Sequence, residues 1–547
     1  MLGFAVAYGA IGVRLAVLGF TFPYEDGAHA PTESVARPNI IDRNGYLLAT
    51  DLPAVSLYAE PRRISDVDEA VEGLHRVFPD IDADQLYQRL TSKTAFVWLK
   101  RKIGPAEQRK VKDLGLPAIG FRSEITRFYP TGREPAHILG LTNVDNQGIS
   151  GMEKWIDEQT RKSGKQGDGS ATALEPVQLS LDTRIQHILH DELAQALTRF
   201  QAQAAGAVVL NAKTGEVVAL VSLPDFDLND PVDAQKPDRL NRISASAAEM
   251  GSTIKTFTTA MALEVGGASL TTMFDASKPL VVGRQRVHDS HSRGRPLSLE
   301  EIFLFSSNIG SAQEARVVGV NAHRDFLKRA GLLTRLQTEL PEVARPVQPR
   351  AWTQPTSITA SFGHGFASTP LQTAVGIAAV LNHGRLIPPT FLRRTEQEAE
   401  SLSTVMISER TSQTMRYLYR LNGVKGSGRH ANIDGFRVGG KTGTAEKVVK
   451  GRYAKNSNYN VFSAAFPMDD PQFVLLVVVD DPKPEKPGAG ITAATTAAPV
   501  AGAIIRRSAE MLGVRPRFSE DAQVTLAEFE PALTFQASPQ ASVEDDD

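Results

Sequence analysis

The sequence predicts an α/β (α+β) protein whose main domain is a sheet flanked by helices. Three observations carry that expectation. Apolar runs of strand length stand at both ends of residues 176–515, with helical runs between them. A glycine-rich polar segment, Gly164-Lys-Gln-Gly-Asp-Gly-Ser170, divides this stretch from a mixed region at 23–168. An apolar run occupies residues 1–22.

At ~150 residues per domain, the 547 residues allow three or four domains with substantial cores. With 60 basic and 62 acidic residues the net charge is −2, which argues against nucleic-acid binding by bulk charge. The chain has no cysteine, so disulfide scaffolds, thiol nucleophiles, zinc–thiolate sites and iron–sulfur clusters are excluded. The 11 histidines form no H-E-x-x-H arrangement.

Residues 1–22 are apolar throughout except for Arg14. A spanning helix needs ~20 apolar residues, and a central arginine costs roughly 2.5–3.5 kcal/mol. We expect a single-pass membrane anchor whose arginine snorkels to a boundary, with upstream residues clipped from the stated start. The alternatives are a signal peptide cleaved after Ala28-His29-Ala30 and a buried helix. A missing basic flank and Pro31 argue against cleavage. On the anchor reading everything downstream is exported.

Next come strand-like Val55–Ala59 and Ala95–Leu99, and helical Asp66–Phe78 and Pro105–Leu114. In the main domain Gly206–Leu210 and Val217–Leu223 flank Asn-Ala-Lys-Thr-Gly and read as a hairpin. Phe462–Phe466 and Phe473–Val479 are late strands, and Thr253–Val265 and Leu299–Phe305 are helical. Strands from both ends with helices between suggest one sheet assembled from distant segments. From 516 the chain turns polar and ends as an acidic tail, expected to be disordered through 547.

Three short motifs carry the chemistry. In Ser252-Thr-Ile-Lys255, Ile254, Phe257 and Met261 mark the buried stripe of an amphipathic helix with Ser252 at its start. Lys255 lies one turn on, on the same face. A buried lysine has a lowered pKa, and its neutral amine can take a serine proton. No other lysine has a serine three residues before it. On these four residues alone, an N-cap serine beside an exposed lysine is the better reading. Ser306-Ser-Asn308, after an apolar helical run, is by itself a capping or turn pattern. Lys441-Thr-Gly-Thr444 reads as a strand, with Gly443 leaving room for a ligand backbone. A second Lys-Thr-Gly at 213–215 shows how common the tripeptide is.

The ordered set is stronger than its parts. Ser306 follows Ser252 by 54 residues and Lys441 follows it by 189. Ser-x-x-Lys, Ser-x-Asn and Lys-Thr-Gly together occur in class A β-lactamases and penicillin-binding proteins. The chain resembles a class B penicillin-binding protein, a peptidoglycan D,D-transpeptidase. The likeness runs over about 35–510 and includes Arg37-Pro-Asn-Ile-Ile-Asp-Arg-Asn-Gly45, Arg127-Phe-Tyr-Pro-Thr-Gly132, Gly148-Ile-Ser-Gly-Met-Glu153 and Ser361-Phe-Gly-His-Gly365. Ser-x-Asn rather than Ser-x-Asp points to the division-type branch. Pro38, Met250 and Ser427 depart from the family pattern of glycine, proline and threonine.

The resemblance implies a transpeptidase domain of the penicillin-binding serine-acyltransferase fold at 176–515, on an elongated N-terminal pedestal at 23–168. It implies that Ser252 attacks the penultimate D-alanine carbonyl of a stem peptide and that Lys255 takes its proton. Backbone N–H groups of Ser252 and Thr444 would form the oxyanion hole. Ser306 and Asn308 would relay a proton to the leaving D-alanine, and Lys441 would supply positive field. Thr442 and Thr444, beside Gly443, would bind the terminal carboxylate or its β-lactam mimic. No metal or cofactor is implied, and the histidines, His137 included, read as structural. The implied partners are stem peptides, β-lactams, the membrane, a membrane glycosyltransferase and other divisome proteins, with no nucleic acid. The implied place is the bacterial inner membrane, with the bulk in the periplasm. A non-catalytic β-lactam sensor or divisome scaffold and, further off, a serine β-lactamase are the alternatives.

Overall fold

The computed structural model describes residues 36–162, 175–283, 285–449, 452–486, 488, 490–518 and 524–529. The expected anchor, its alternatives and the glycine-rich segment at 164–170 lie outside these residues. No helix among the described residues is long and apolar enough to cross a membrane.

One five-stranded antiparallel sheet organises the main domain. Its order is Gly439–Val449, Arg452–Phe466, Phe473–Asp480, Ala204–Asn211 and Val217–Leu223. Early and late strands thus meet in one sheet, as their apolar runs suggested. Successive side chains face opposite ways. Ala205, Ala207, Val209, Leu475 and Val477 pack on helices Thr183–Phe200 and Ala497–Ser508. Val208, Leu210, Leu476 and Val478 pack on Phe257, Ala260 and helix Pro370–Leu381. Both faces are covered, so these strands read as unbroken apolar runs rather than as alternation.

In the N-terminal region Leu47–Ala59 pairs with both Val97–Ile103 and Ile119–Phe128. Helices Val67–Val77 and Ala83–Leu90 begin at Asp66 and Asp82, whose side chains accept from the N–H of Glu69 and Gln85. The strand expected at 95–99 runs instead from Val97 to Ile103. Three of the quoted segments converge on a buried ion network. Glu153, fully buried, accepts from Arg37 Nε at 2.9 Å and from Arg127 Nε at 2.7 Å. Arg127 also pairs with Asp51 at 3.0 Å. Short strand Ile40–Ile41 runs parallel to Val177–Gln178, and Asp42 accepts from Thr183 at the start of helix Thr183–Phe200.

The tail departs from expectation in part. Leu526–Phe529 forms a 3-10 turn, and Phe529 is buried with its ring 6.2 Å from that of Tyr417. Val524 and Leu526 pack against the same core. Three apolar side chains in six residues are enough to hold a short segment down, and the polar composition around them concealed it. Residues 516–518 are held as well, with Arg517 N–H donating to Gly435 O at 2.8 Å, and the remainder of the tail lies outside the described residues.

Candidate active site

Ser252 sits on a 3-10 turn, Gly251–Ile254, that feeds helix Lys255–Glu264. It is one turn before the α-helix rather than at its first residue. The expected amphipathic helix is buried on every side from Lys255 to Ala262. It is the central helix, packed between the sheet side and helices Asn308–Val318, Pro370–Leu381 and Glu409–Lys425. That all-round packing is what buries Lys255.

The turn is squeezed from two sides. Gly251 has φ +51°, and a Cβ there would lie 2.8 Å from Thr444 O and 3.1 Å from Thr444 N. A Cβ on Gly443 would lie 2.4 Å from Met250 O and 2.9 Å from Thr253 N. Gly443 therefore does not leave room for a ligand, as the sequence suggested. Its missing side chain admits the turn that carries Ser252. The glycine density before it is likewise internal, since Cβ atoms on Gly439 and Gly440 would strike Met468 and Phe462.

Four predicted side chains meet. Lys255 Nζ lies 2.5 Å from Ser306 O, 2.7 Å from Asn308 Oδ1 and 3.2 Å from Ser306 Oγ. Lys441 Nζ lies 2.9 Å from the same Ser306 Oγ and 3.2 Å from Thr442 O. No hydrogen bond joins Lys255 to Ser252 among those described. Both lysines are completely buried. Burial pushes Lys441 down to about 7. Lys255 is held well below the usual lysine range, by burial first and by the Lys441 charge second. A neutral amine has two N–H donors and one lone pair. Ser306 O and Asn308 Oδ1 accept only, so they take both donors and leave the lone pair for a hydroxyl proton.

The chain places this cluster by caps. Helix Leu299–Phe305 ends at Ser306, which adopts a left-handed conformation at φ +55°. Ser307 then caps helix Asn308–Val318, accepting from Gly310 N–H at 2.9 Å. Thr442 and Thr444 share the strand face opposite Lys441. Thr442 Oγ1 meets Ser427 Oγ at 2.6 Å, and Thr444 Oγ1 accepts from Ala493 N–H at 3.0 Å.

Sequence reasoning missed several supports. Asp289 accepts from Ile309 N–H at 3.0 Å and from Ser307 Oγ at 2.7 Å, and His288 O accepts from Asn308 Nδ2 at 3.1 Å. An acidic residue 18 positions before the cap residue it supports, Ser307, has no local signature. Glu314, buried one helical stretch past Asn308, has its carboxyl pushed up to about 8 by burial. By contrast Lys213, in the second Lys-Thr-Gly, pairs with Asp470 at 2.8 Å in the hairpin turn. His137 is hydrogen-bonded to Arg239 O at 2.7 Å. Among the described residues no group of three or more histidine or acidic side chains could hold a metal ion.

A five-stranded sheet with a buried Ser-x-x-Lys helix against its edge, facing Ser-x-Asn and Lys-Thr-Gly, defines a class of penicillin-interacting serine acyltransferases. Residues 205–505 match the family described as Penicillin binding protein transpeptidase domain, and residues 32–167 match Penicillin-binding Protein dimerisation domain. The chain belongs to the penicillin-binding proteins that combine these two domains. It is 37% identical over 524 residues to the probable peptidoglycan D,D-transpeptidase FtsI of Caulobacter vibrioides, covering 94% of this chain and 87% of that one. It is 30% identical over 510 residues to the peptidoglycan D,D-transpeptidase FtsI of Escherichia coli, covering 88% and 85%. A peptidoglycan synthetase structure from Bifidobacterium adolescentis shares the fold with a TM-score of 0.68 at 21% identity, covering 89% of this chain and 97% of that one.

Proposed function

We propose that the protein is a peptidoglycan D,D-transpeptidase that cross-links stem peptides during septal wall synthesis and is acylated by β-lactams. The observation that carries this is the convergence of Lys255 and Lys441 on Ser306, with Asn308 Oδ1 also held by Lys255, beside the turn of Ser252. Lys255, as a neutral amine, takes the Ser252 proton while Oγ bonds to the carbonyl carbon of the penultimate D-alanine. The negative charge that develops on the carbonyl oxygen is met by the N–H groups of Ser252 and Thr444, whose backbones the two glycines bring together. The proton passes through Ser306 to the departing amine as the C–N bond breaks. A second stem peptide's amine then attacks the ester, and Ser252 regains its proton. Thr442 and Thr444 hold the terminal carboxylate, and Lys441 supplies positive field. Asn308, fixed by His288, orients the peptide.

The membrane anchor at 1–22, the place in the inner membrane with the bulk in the periplasm, and contacts with a membrane glycosyltransferase and other divisome proteins belong to the same reading. Its test is the penicillin adduct. Intact mass should rise by one penicillin per chain, the label should map to Ser252, and Ser252→Ala should abolish it while leaving the fold intact. A label on another serine overturns the assignment. Rapid turnover of penicillin would instead indicate a β-lactamase.

A further inference from the structure

Glu249 stands three residues before Ser252, outside the three motifs. Its carboxylate gathers two other elements onto the nucleophile turn. Oε1 accepts from Gly365 N–H at 2.8 Å. Both oxygens lie 3.3 Å from the Tyr453 hydroxyl, which donates. Oε2 lies 3.1 Å from His364 Nδ1. The His364 ring meets Tyr453 edge-on, with centroids 5.8 Å apart. Glu249 is sheltered at 15% side-chain exposure, beneath a half-exposed Tyr453.

The route by which Tyr453 reaches this carboxylate is informative. It lies on strand Arg452–Phe466, which pairs with Gly439–Val449. The third strand, Phe473–Asp480, supports this hairpin only from Tyr459 to Phe466. The outer part is a two-stranded ribbon, which is marginally stable by itself. Between Glu446 and Val448 the register shifts, and Val448 then pairs with Tyr453. Two residues on one strand there match five on the other, an irregularity that interrupts the ladder and, like a bulge, bends the ribbon. Here the bent end comes down on the loop that precedes Ser252. Gly363, next to His364, packs on the same loop, where a Cβ would strike the Gly251 carbonyl.

We propose that Glu249 is a positioning residue: through Tyr453 and His364 its carboxylate latches the bent outer hairpin and the Gly363–Gly365 turn to the nucleophile turn. The latch sets the separation between Ser252 and the strand Lys441–Thr444. The inference rests on the reading of those residues as nucleophile and binding strand.

The test uses Glu249→Ala, Glu249→Gln, Tyr453→Phe and the double variant Glu249→Ala/Tyr453→Phe in the full chain. Penicillin acylation is resolved into its binding and first-order steps, and amide hydrogen exchange is followed in the outer hairpin. Tyr453→Phe removes one exposed hydroxyl and should keep the melting temperature of the parent. It should slow the first-order step roughly tenfold, the size of one lost bond to a charged acceptor. The outer hairpin should exchange faster. Glu249→Ala should be slower still, and the double variant no slower than Glu249→Ala, since both cut one latch. Glu249→Gln should recover most of the rate, because its amide oxygen can still accept from Gly365 and Tyr453. Unchanged acylation or unchanged exchange in Tyr453→Phe, or effects that multiply in the double variant, overturn the proposal. Failure of the parent chain to acylate at Ser252 would overturn the functional reading instead, and hairpin exchange would still report on the latch.

Discussion

Lys441 Nζ and Ser306 Oγ stand 2.9 Å apart across 135 residues of sequence. The contact makes the Ser306 hydroxyl the meeting point of the Lys441–Thr444 strand and the Ser-x-x-Lys helix, because Lys255 lies 3.2 Å from the same oxygen. Two buried lysines this close cannot both hold a proton easily, and their titrations belong to the pair.

The pH profile of acylation should show that pairing. On the proposed mechanism the competent form has Lys255 neutral and Lys441 charged. The second-order acylation constant should rise as Lys255 loses its proton, well below the usual lysine range. It should fall as Lys441 loses its own near about 7. Lys441→Arg stays charged, so it should lower the rate but lose the falling limb. Stopped-flow acylation across pH decides it, and a falling limb that survives in Lys441→Arg belongs to another group.

The two Lys-Thr-Gly copies should behave oppositely. Lys441→Ala should slow acylation ~10²-fold or more, a loss of ~3 kcal/mol. Lys213 makes a partly exposed pair with Asp470. Lys213→Ala should cost no more than about 0.5 kcal/mol and leave acylation alone. Acylation rates and denaturant melts on both variants check this.

Gly443→Ala should damage the site without touching a polar group. The added methyl meets Met250 O and Thr253 N closer than atoms can pack. The turn carrying Ser252 must move, at a cost of ~1–3 kcal/mol. Acylation should fall at least ~10-fold, since a displacement of 1 Å can cost ~10². A variant that acylates at the parent rate would show that the turn and strand can separate freely.

Glu314 should link stability to pH. Its folded pKa is raised to about 8 from 4.5. Between those values the folded state holds a proton that the unfolded state lacks, so this group's contribution falls as pH rises from 4.5 to about 8. Glu314→Gln cannot ionise. It should stabilise the fold by ~1 kcal/mol or more near pH 8, with a gain that shrinks towards pH 5. Urea melts at several pH values measure it.

The buried strands were legible because Phe473–Val479 is apolar throughout and Val217–Leu223 is broken only by Ser222, and a short run of that kind suits a sheet covered on both faces. The candidate site residues were legible only as an ordered set, since Ser-x-Asn and Lys-Thr-Gly taken singly are ordinary turn and strand patterns. What stayed hidden was contact at long range. Gly443 looked open because a sequence does not say that Met250 and Thr253 will press on it. Lys255 was expected against Ser252, yet its donors go to Ser306 and Asn308. Asp289 gave no signal because the helix it caps begins on another element. Phe529 was lost in polar surroundings although it joins the core.

The sheet's strand order has a consequence for biosynthesis. Ala204 pairs with Asp480, so the early hairpin meets its neighbour 276 residues later. At ~5–20 residues per second a ribosome needs roughly 14–55 s to supply that neighbour. For that interval Ala204–Asn211 presents an unpaired edge that is apolar up to Asn211, the kind of surface on which nascent chains stick to one another. The first cooperative unit of the newborn chain therefore cannot include the completed main sheet until translation has passed Asp480.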